Sequence, residues 1–179
     1  MIWLGGIFNW FNIVRGIAAT AALVCIVIAG APAQAGTWVV DTTSGCQVWN
    51  PNPQLEESVR WSGSCVNGRA EGYGTVRWLK EGTLSETDEG EWRKGRQVNN
   101  GTQSWATGRY EGELLDGEPN GHGILTVQQL RYEGDFRNGK PNGNGALTTG
   151  SESVRGMWKD GCLQGARKAS IGIPLSACR

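Results

Sequence analysis

Tyr110 opens the stretch YEGELLDGEPNGHGILT (110–126), and Tyr132, 22 residues on, opens YEGDFRNGKPNGNGALT (132–148). The two agree at Tyr, Glu, Gly, Gly, Pro, Asn, Gly, Gly, Leu and Thr, so the chain repeats itself at a fixed period. The same frame set on Val154 reads VRGMWKDGCLQGAR, keeping Gly156, Trp158, Gly161 and Gly165 but placing Arg167 where the last Gly would stand. Set on Asp88 it reads DEGEWRKGRQVNNG, with Gly90, Trp92, Gly95 and Gly101 in place. A first copy starts at Trp61 as WSGSCVNGRAEGYG, with Gly63, Gly68, Gly72 and Gly74. The starts at 61, 88, 110, 132 and 154 are spaced 27, 22, 22 and 22. The five extra residues fall between Lys80 and Asp88 and predict a longer loop between two hairpins.

Within a unit, Tyr132, Gly134 and Phe136 alternate with Glu133, Asp135 and Arg137, the period of two that sends one set to each face of a strand. Asn138-Gly139 and Asn142-Gly143 supply residues suited to φ > 0 around Lys140-Pro141, where the chain is expected to reverse. A second strand is then predicted from Gly145 through Leu147 and Thr149. Stacking such hairpins aligns Trp92, Leu114, Phe136 and Trp158 behind Cys65, with Trp61, Tyr110, Tyr132 and Val154 in a second column and Val76, Leu125 and Leu147 in a third. One hairpin cannot bury such a face alone, but successive hairpins can do it for one another. The fold expected is therefore all-β, a single-layer twisted antiparallel ribbon about 50 Å long.

The pattern Y-x-G-[DE]-[FW]-x-x-G-x-x-x-G-x-G resembles the MORN repeat. Its defining residues here are Trp61, Gly63, Gly90, Trp92, Tyr110, Gly112, Gly121, Gly123, Tyr132, Gly134, Phe136, Gly143, Gly145, Gly156 and Trp158. The unit at 132 matches fully, the unit at 110 has Leu114 for the aromatic, and Asp88 replaces the opening aromatic at another. The leading stretch GCQVWNPNPQLEESVRWSGSCVNGRAEGYG is similar to the opening of exported bacterial proteins that carry these repeats. The resemblance implies protein-binding and dimerising roles, and an association with membranes.

Outside the repeats, the chain divides into 1–35, a cap segment 36–60, the array 61–170 and a C-terminal cap 171–179. Ile17 to Ala33 is nearly all apolar, follows Arg15, and ends in Ala33-Gln34-Ala35: a signal peptide with a small-x-small cleavage site. The run is short for a bilayer span, and an uncleaved inner-membrane anchor is the alternative. Lipidation at Cys25 is disfavoured by Val24 before it. The expected location is thus periplasmic or secreted.

Lys and Arg number 17 against 17 Asp and Glu, which removes a polyanion-binding argument and, with it, nucleic acid. Gly at 28 beside Pro at 6 points to tight turns. Seven of the nine Trp lie beyond residue 35 and supply large apolar anchors for a thin structure with little central core.

Beyond residue 35 stand Cys46, Cys65, Cys162 and Cys178, an even number in an exported chain. The repeat frame puts Cys65 and Cys162 about 40 Å apart, at about 10 Å per unit, far beyond disulfide reach. Pairing Cys46 with Cys65 and Cys162 with Cys178 closes a short loop at each end and protects an exposed edge. Metal binding is the rival reading, but no C-x-x-C occurs and His122 is the only His.

His122 takes the repeat position held by Tyr73 and Asn144, which reads as an exposed turn residue. Neither a G-x-S-x-G elbow nor a phosphate loop occurs. Glu89, Glu111 and Glu133 share one repeat position, with Glu91, Glu113 and Asp135 two residues on. They form an acidic strip with the groups to hold a cation or position a sugar, which reads first as a solvated face balanced by Arg93, Arg137 and Lys159. Trp38, Trp49, Trp78 and Trp105 lie outside the first-strand columns and are candidates for stacking on a sugar or seating a peptide. Trp78 and Trp105 share the register of Val76 and Gln103, which favours their burial. The candidate ligand face is accordingly Trp49, Trp78, Trp105, Glu111 and Glu133. The sequence assigns no catalytic residue, cofactor or metal. It favours a non-enzymatic module binding a protein or a second copy of itself, with an envelope glycan or lipid headgroup as the alternative.

Overall fold

The alternation and the turn residues produce one continuous sheet. A computed structural model describes residues 36–166 and 168–178; the predicted signal peptide and the departure at Arg167 lie outside the described residues. The strands are β1 (Thr37–Val40), β2 (Gln47–Asn50), β3 (Glu57–Val66), β4 (Arg69–Lys80), β5 (Thr83–Arg93), β6 (Arg96–Trp105), β7 (Gly108–Leu115), β8 (Glu118–Val127), β9 (Leu130–Arg137), β10 (Lys140–Thr149), β11 (Glu152–Lys159) and β12 (Cys162–Leu163). From β3 to β12 each strand pairs antiparallel with the next, an open meander without crossovers. No helix among the described residues is long and apolar enough to cross a membrane.

Three local expectations are corrected. The chain reverses at Asn138-Gly139 alone, φ 49° and 72°, and Lys140 and Pro141 already pair with Arg137 and Phe136. Asn-Gly satisfies a two-residue type I′ turn by itself, so the second strand starts five residues earlier than Gly145. Gly143 instead sits in a bulge, φ 126°, where the register shifts between Pro141 and Gly145. Nor does a longer loop hold the five extra residues near Lys80. They lengthen β4 and β5, which meet in the two-residue turn Glu81-Gly82 and pair with one irregularity, where Ser85 is passed over between Leu84 and Glu86. His122 is exposed as expected, but in the bulge of β8 and not in a turn.

The bulge is where the repeat's residues meet. The Glu113 carboxylate accepts from the His122 N–H at 2.8 Å, and Asp135 does the same for Asn144 at 2.9 Å. On the other face the phenols of Tyr110 and Tyr132 donate to the carbonyls of Glu113 and Asp135, at 2.8 and 3.2 Å. Each ring lies across the Gly of the next strand, so a Cβ at Gly123 or Gly145 would collide with it. Beyond the bulge the hairpin tips bond to one another: Gly95 N–H to the Ala70 carbonyl, Gly117 to Gln97, Gly139 to Pro119 and Gly161 to Pro141, at 2.8–3.0 Å.

Two of the expected columns interleave as one cross-strand row, Trp61–Val76–Asp88–Gln103–Tyr110–Leu125–Tyr132–Leu147–Val154. The apolar residues of this inner face gather into two separate clusters. One joins Val48, Val59, Trp61, Val76, Trp78 and Trp92; the other joins Tyr110, Leu114, Tyr132, Phe136, Leu147, Trp158 and Leu163. In the second, Tyr110–Phe136, Phe136–Tyr132 and Tyr132–Trp158 make edge contacts at 5.1–5.2 Å, each adding about 0.5–1.5 kcal/mol beyond burial.

Each end carries a disulfide, Cys46–Cys65 and Cys162–Cys178, with Cα separations of 5.8 and 5.6 Å. The β1–β2 hairpin covers the N-terminal end and joins the sheet through one parallel bridge, Gln47 to Arg69. Asp41 in this cap accepts the Trp61 N–H at 3.1 Å, closing part of the free edge of β3. Burial alone would raise the Asp41 pKa. The N–H groups of Thr43 and Trp61, the Ser44 hydroxyl and the Arg60 guanidinium outweigh it and hold the carboxyl below its ordinary range. At the other end, Ile171 packs on the second cluster and its N–H reaches the Gly161 carbonyl at 2.8 Å.

Candidate functional site

The second unit breaks the apolar inner face. Where its neighbours carry an aromatic at the opening position it has Asp88; opposite, where Leu125 and Leu147 stand in later units, it has Gln103. Gln97 takes the place of Pro119 and Pro141, and Glu86 lies in the neighbouring row between Trp78 and Trp105. Asp88, Gln97 and Gln103 are all buried, forming a polar island between the two apolar clusters.

The cap roofs this island. Trp49, Asn50, Pro51, Asn52, Gln54 and Glu57 face Trp78, Glu86, Asp88, Trp92, Gln97 and Gln103 across a cleft of about 80 Å³, with Glu118 and Pro119 also on its wall. Asn50 donates to Glu57 at 2.6 Å, and the Gln54 N–H reaches the same carboxylate oxygen at 3.2 Å. Gln103 donates to the Gly117 carbonyl at 2.9 Å and to Gln97 at 3.3 Å, and Gln97 to the Glu89 carbonyl at 3.1 Å. Asp88 accepts the indole N–H of Trp78 at 2.6 Å through Oδ2.

Loss of water raises the pKa of all three acids. For Asp88 desolvation is the main cause and the neighbouring Glu86 adds to it, lifting the carboxyl well above its usual range. Glu86 is raised by desolvation against a hydrogen bond with Asp88, and Glu57 by desolvation against its amide donors and Lys80. Burial and the neighbouring Glu86 thus favour the protonated form of Asp88.

The residues predicted to share a ligand face divide between the two sides of the sheet. Trp49 and Trp78 line the cleft, and Trp105, half-buried, packs against the second cluster. Glu111 and Glu133 are on the opposite, outer face, because strand alternation sets them against the inward Tyr110 and Tyr132. There Arg109 and Arg131 hold them at 3.1 and 2.8 Å, and the Arg131 hydrogen bond keeps Glu133 below its ordinary pKa. Glu113 and Asp135 are engaged by the bulges. The acidic strip is thus a set of locally neutralised pairs and backbone caps. Trp38 and Trp49 contact each other edge-on at 5.2 Å; Arg69 lies over Trp38 and Arg96 over Trp49, at 3.5 and 4.1 Å.

Large apolar side chains also stand free on the outer face. Tyr73 is 80% exposed, Leu115 55% and Met157 52%. Among the described residues no group of His, Cys, Asp and Glu is arranged to hold a metal ion.

No curated protein matches the chain. The family model of the MORN repeat matches residues 61–79, 89–108, 110–126 and 132–153, segments that follow the hairpin units from Trp61 onward. The chain thus contains four segments that match the MORN repeat, and the bulge carboxylates Glu113 and Asp135 and the glycines Gly123 and Gly145 lie within them; the unit that begins at Val154 lies outside the match.

Proposed function

We propose that the protein is an exported, non-catalytic scaffold whose outer sheet face binds another protein, a second copy of itself included. The observation that carries this reading is the exposure of Tyr73, Leu115 and Met157, with Val66 at the repeat position of Leu115, on a charge-balanced outer face. Aromatic and Met side chains are enriched where proteins meet, and a few such anchors supply most of the binding energy. The two disulfides suit an oxidising compartment, which supports export. Locally paired Glu and Arg supply specificity at the rim without a net field for nucleic acid or anionic lipid.

Cross-linking in the native envelope, combined with sedimentation of the purified chain, tests this. Either a concentration-dependent dimer or one reproducible cross-linked protein is expected. Tyr73→Ala should weaken that association by about tenfold or more, as loss of an exposed aromatic anchor does. A monomer with no cross-linked partner, or an association indifferent to Tyr73, Leu115 and Met157, overturns the reading.

A further inference from the structure

The cleft beneath the N-terminal cap holds an unsatisfied pair of chemistries. The indole Nε1–H of Trp92, a residue only 2% exposed, has no acceptor, and Oδ1 of Asp88, a residue 4% exposed, has no N–H or hydroxyl donor. Both residues line the same cleft. Leaving a buried donor unpaired is costly, and a chain that folds around one has reason to present it. Tyr at position 88 and Leu at 103, as in the later units, would have filled this space with apolar side chains.

We propose that this cleft is a binding site for the hydroxylated end of a neutral carbohydrate or polyol. A hydroxyl is both acceptor and donor: its oxygen accepts the Trp92 N–H, and its O–H donates to Oδ1 of Asp88, which has a lone pair to accept it in either protonation state. An ammonium group would suit the acids but offers nothing to the indole, and Lys80 already acts electrostatically on Glu57. A carboxylate would suit the indole but offers no hydrogen to the unpartnered Asp88 oxygen. Size sharpens the class. About 80 Å³ is a small fraction of the 300–1,000 Å³ typical of a whole-ligand pocket. The cleft therefore takes an arm or a vicinal diol, while the remainder of the sugar stays at the mouth, beside Asn52, Gln54 and Glu118. The site is on the inner face, separate from the outer anchors proposed for protein binding, and the two are testable independently.

The test is titration of the full chain with glycerol and with a methyl glucoside, following the indole N–H signals in ¹H–¹⁵N NMR spectra. A saturable shift confined to Trp92 and Trp78 is expected. Asp88→Asn keeps an oxygen for Trp78 but turns the other acceptor into a donor, and should weaken binding about tenfold. Trp92→Phe keeps the ring and removes the donor, with the Trp78 signal as reporter and a similar loss expected; it serves if the first variant fails to fold. Three results overturn the proposal: no saturable shift at about 100 mM, a hundredfold above a millimolar Kd; a shift by methylammonium but not by the polyols; or affinities unchanged in both variants.

Discussion

At the scale of single residues, the repeat is a set of mutual exclusions. Tyr132 can lie flat across β10 only because Gly145 has no side chain, and the strand can bulge at Gly143 only because Asp135 caps the freed N–H of Asn144. The two kinds of bond differ in weight. Tyr132→Phe removes one hydroxyl donation at 3.2 Å and should cost about 0.5–1.5 kcal/mol. Gly145→Ala drives a methyl into the ring and should cost more, about 1–3 kcal/mol, because the fully buried Tyr132 ring cannot yield freely. Urea unfolding of both variants checks the order; a milder effect for Gly145→Ala would show that the close approach is not a constraint. Burial also pushes the Tyr110 and Tyr132 phenols above their ordinary pKa, as expected of groups that serve as donors here.

At the scale of the element, the second unit shows what sequence could and could not disclose. The hairpin, its faces and the period were legible because alternation and Asn-Gly turns are local properties, as at Tyr132 to Gly139. The bulge was not, since Asn142-Gly143 looks like a second turn until the register of both strands is known. The polar island was half legible: Asp88 stood out against the aromatic position. Yet Glu57 and Glu86 join it only because β4 and β5 are extended and the cap folds over them. Grouping Glu111 and Glu133 with Trp49 failed for a simple reason, that neighbours in strand sequence point to opposite faces.

The same unit has a pH signature. Asp88 has its pKa raised on folding, so between the ordinary carboxylate range near pH 4 and its folded value the native state binds more protons than the unfolded one. Stability must then fall as pH rises through that window. Asp88→Asn removes this term: near pH 3.5 it should match the parent, and at pH 7 it should be more stable by about 1 kcal/mol or more. Denaturant midpoints at the two pH values check it, and a variant less stable at pH 7 would mean that the acid is partnered better than its surroundings suggest. A residue that costs stability at neutral pH is one retained for another purpose, consistent with a binding role.

At the scale of the whole molecule, the break in the apolar face separates two packing units. Adjacent repeats stabilise one another through shared contacts, and cooperativity extends only as far as those contacts do. Here the row Trp61–Val76 and the row Tyr110–Leu125 are linked through Asp88 and Gln103, polar side chains that contribute little apolar contact. Each half is also pinned at its outer end by its own disulfide, Cys46–Cys65 or Cys162–Cys178. Either bridge closes a loop of under twenty residues, worth about 3 kcal/mol through the unfolded chain, so each stabilises the half that contains it. Unfolding should therefore proceed in two steps, with the disulfides intact. Residue-resolved hydrogen exchange across a urea series should place the amides around Trp61 and Trp92 on one midpoint and those around Tyr132 and Trp158 on another. Replacing Asp88 and Gln103 together by Leu restores a continuous apolar row and should merge the two midpoints. A single shared midpoint in the parent chain would show instead that the backbone bonds between hairpin tips, Gly117 to Gln97 above all, carry cooperativity across the island without help from the core.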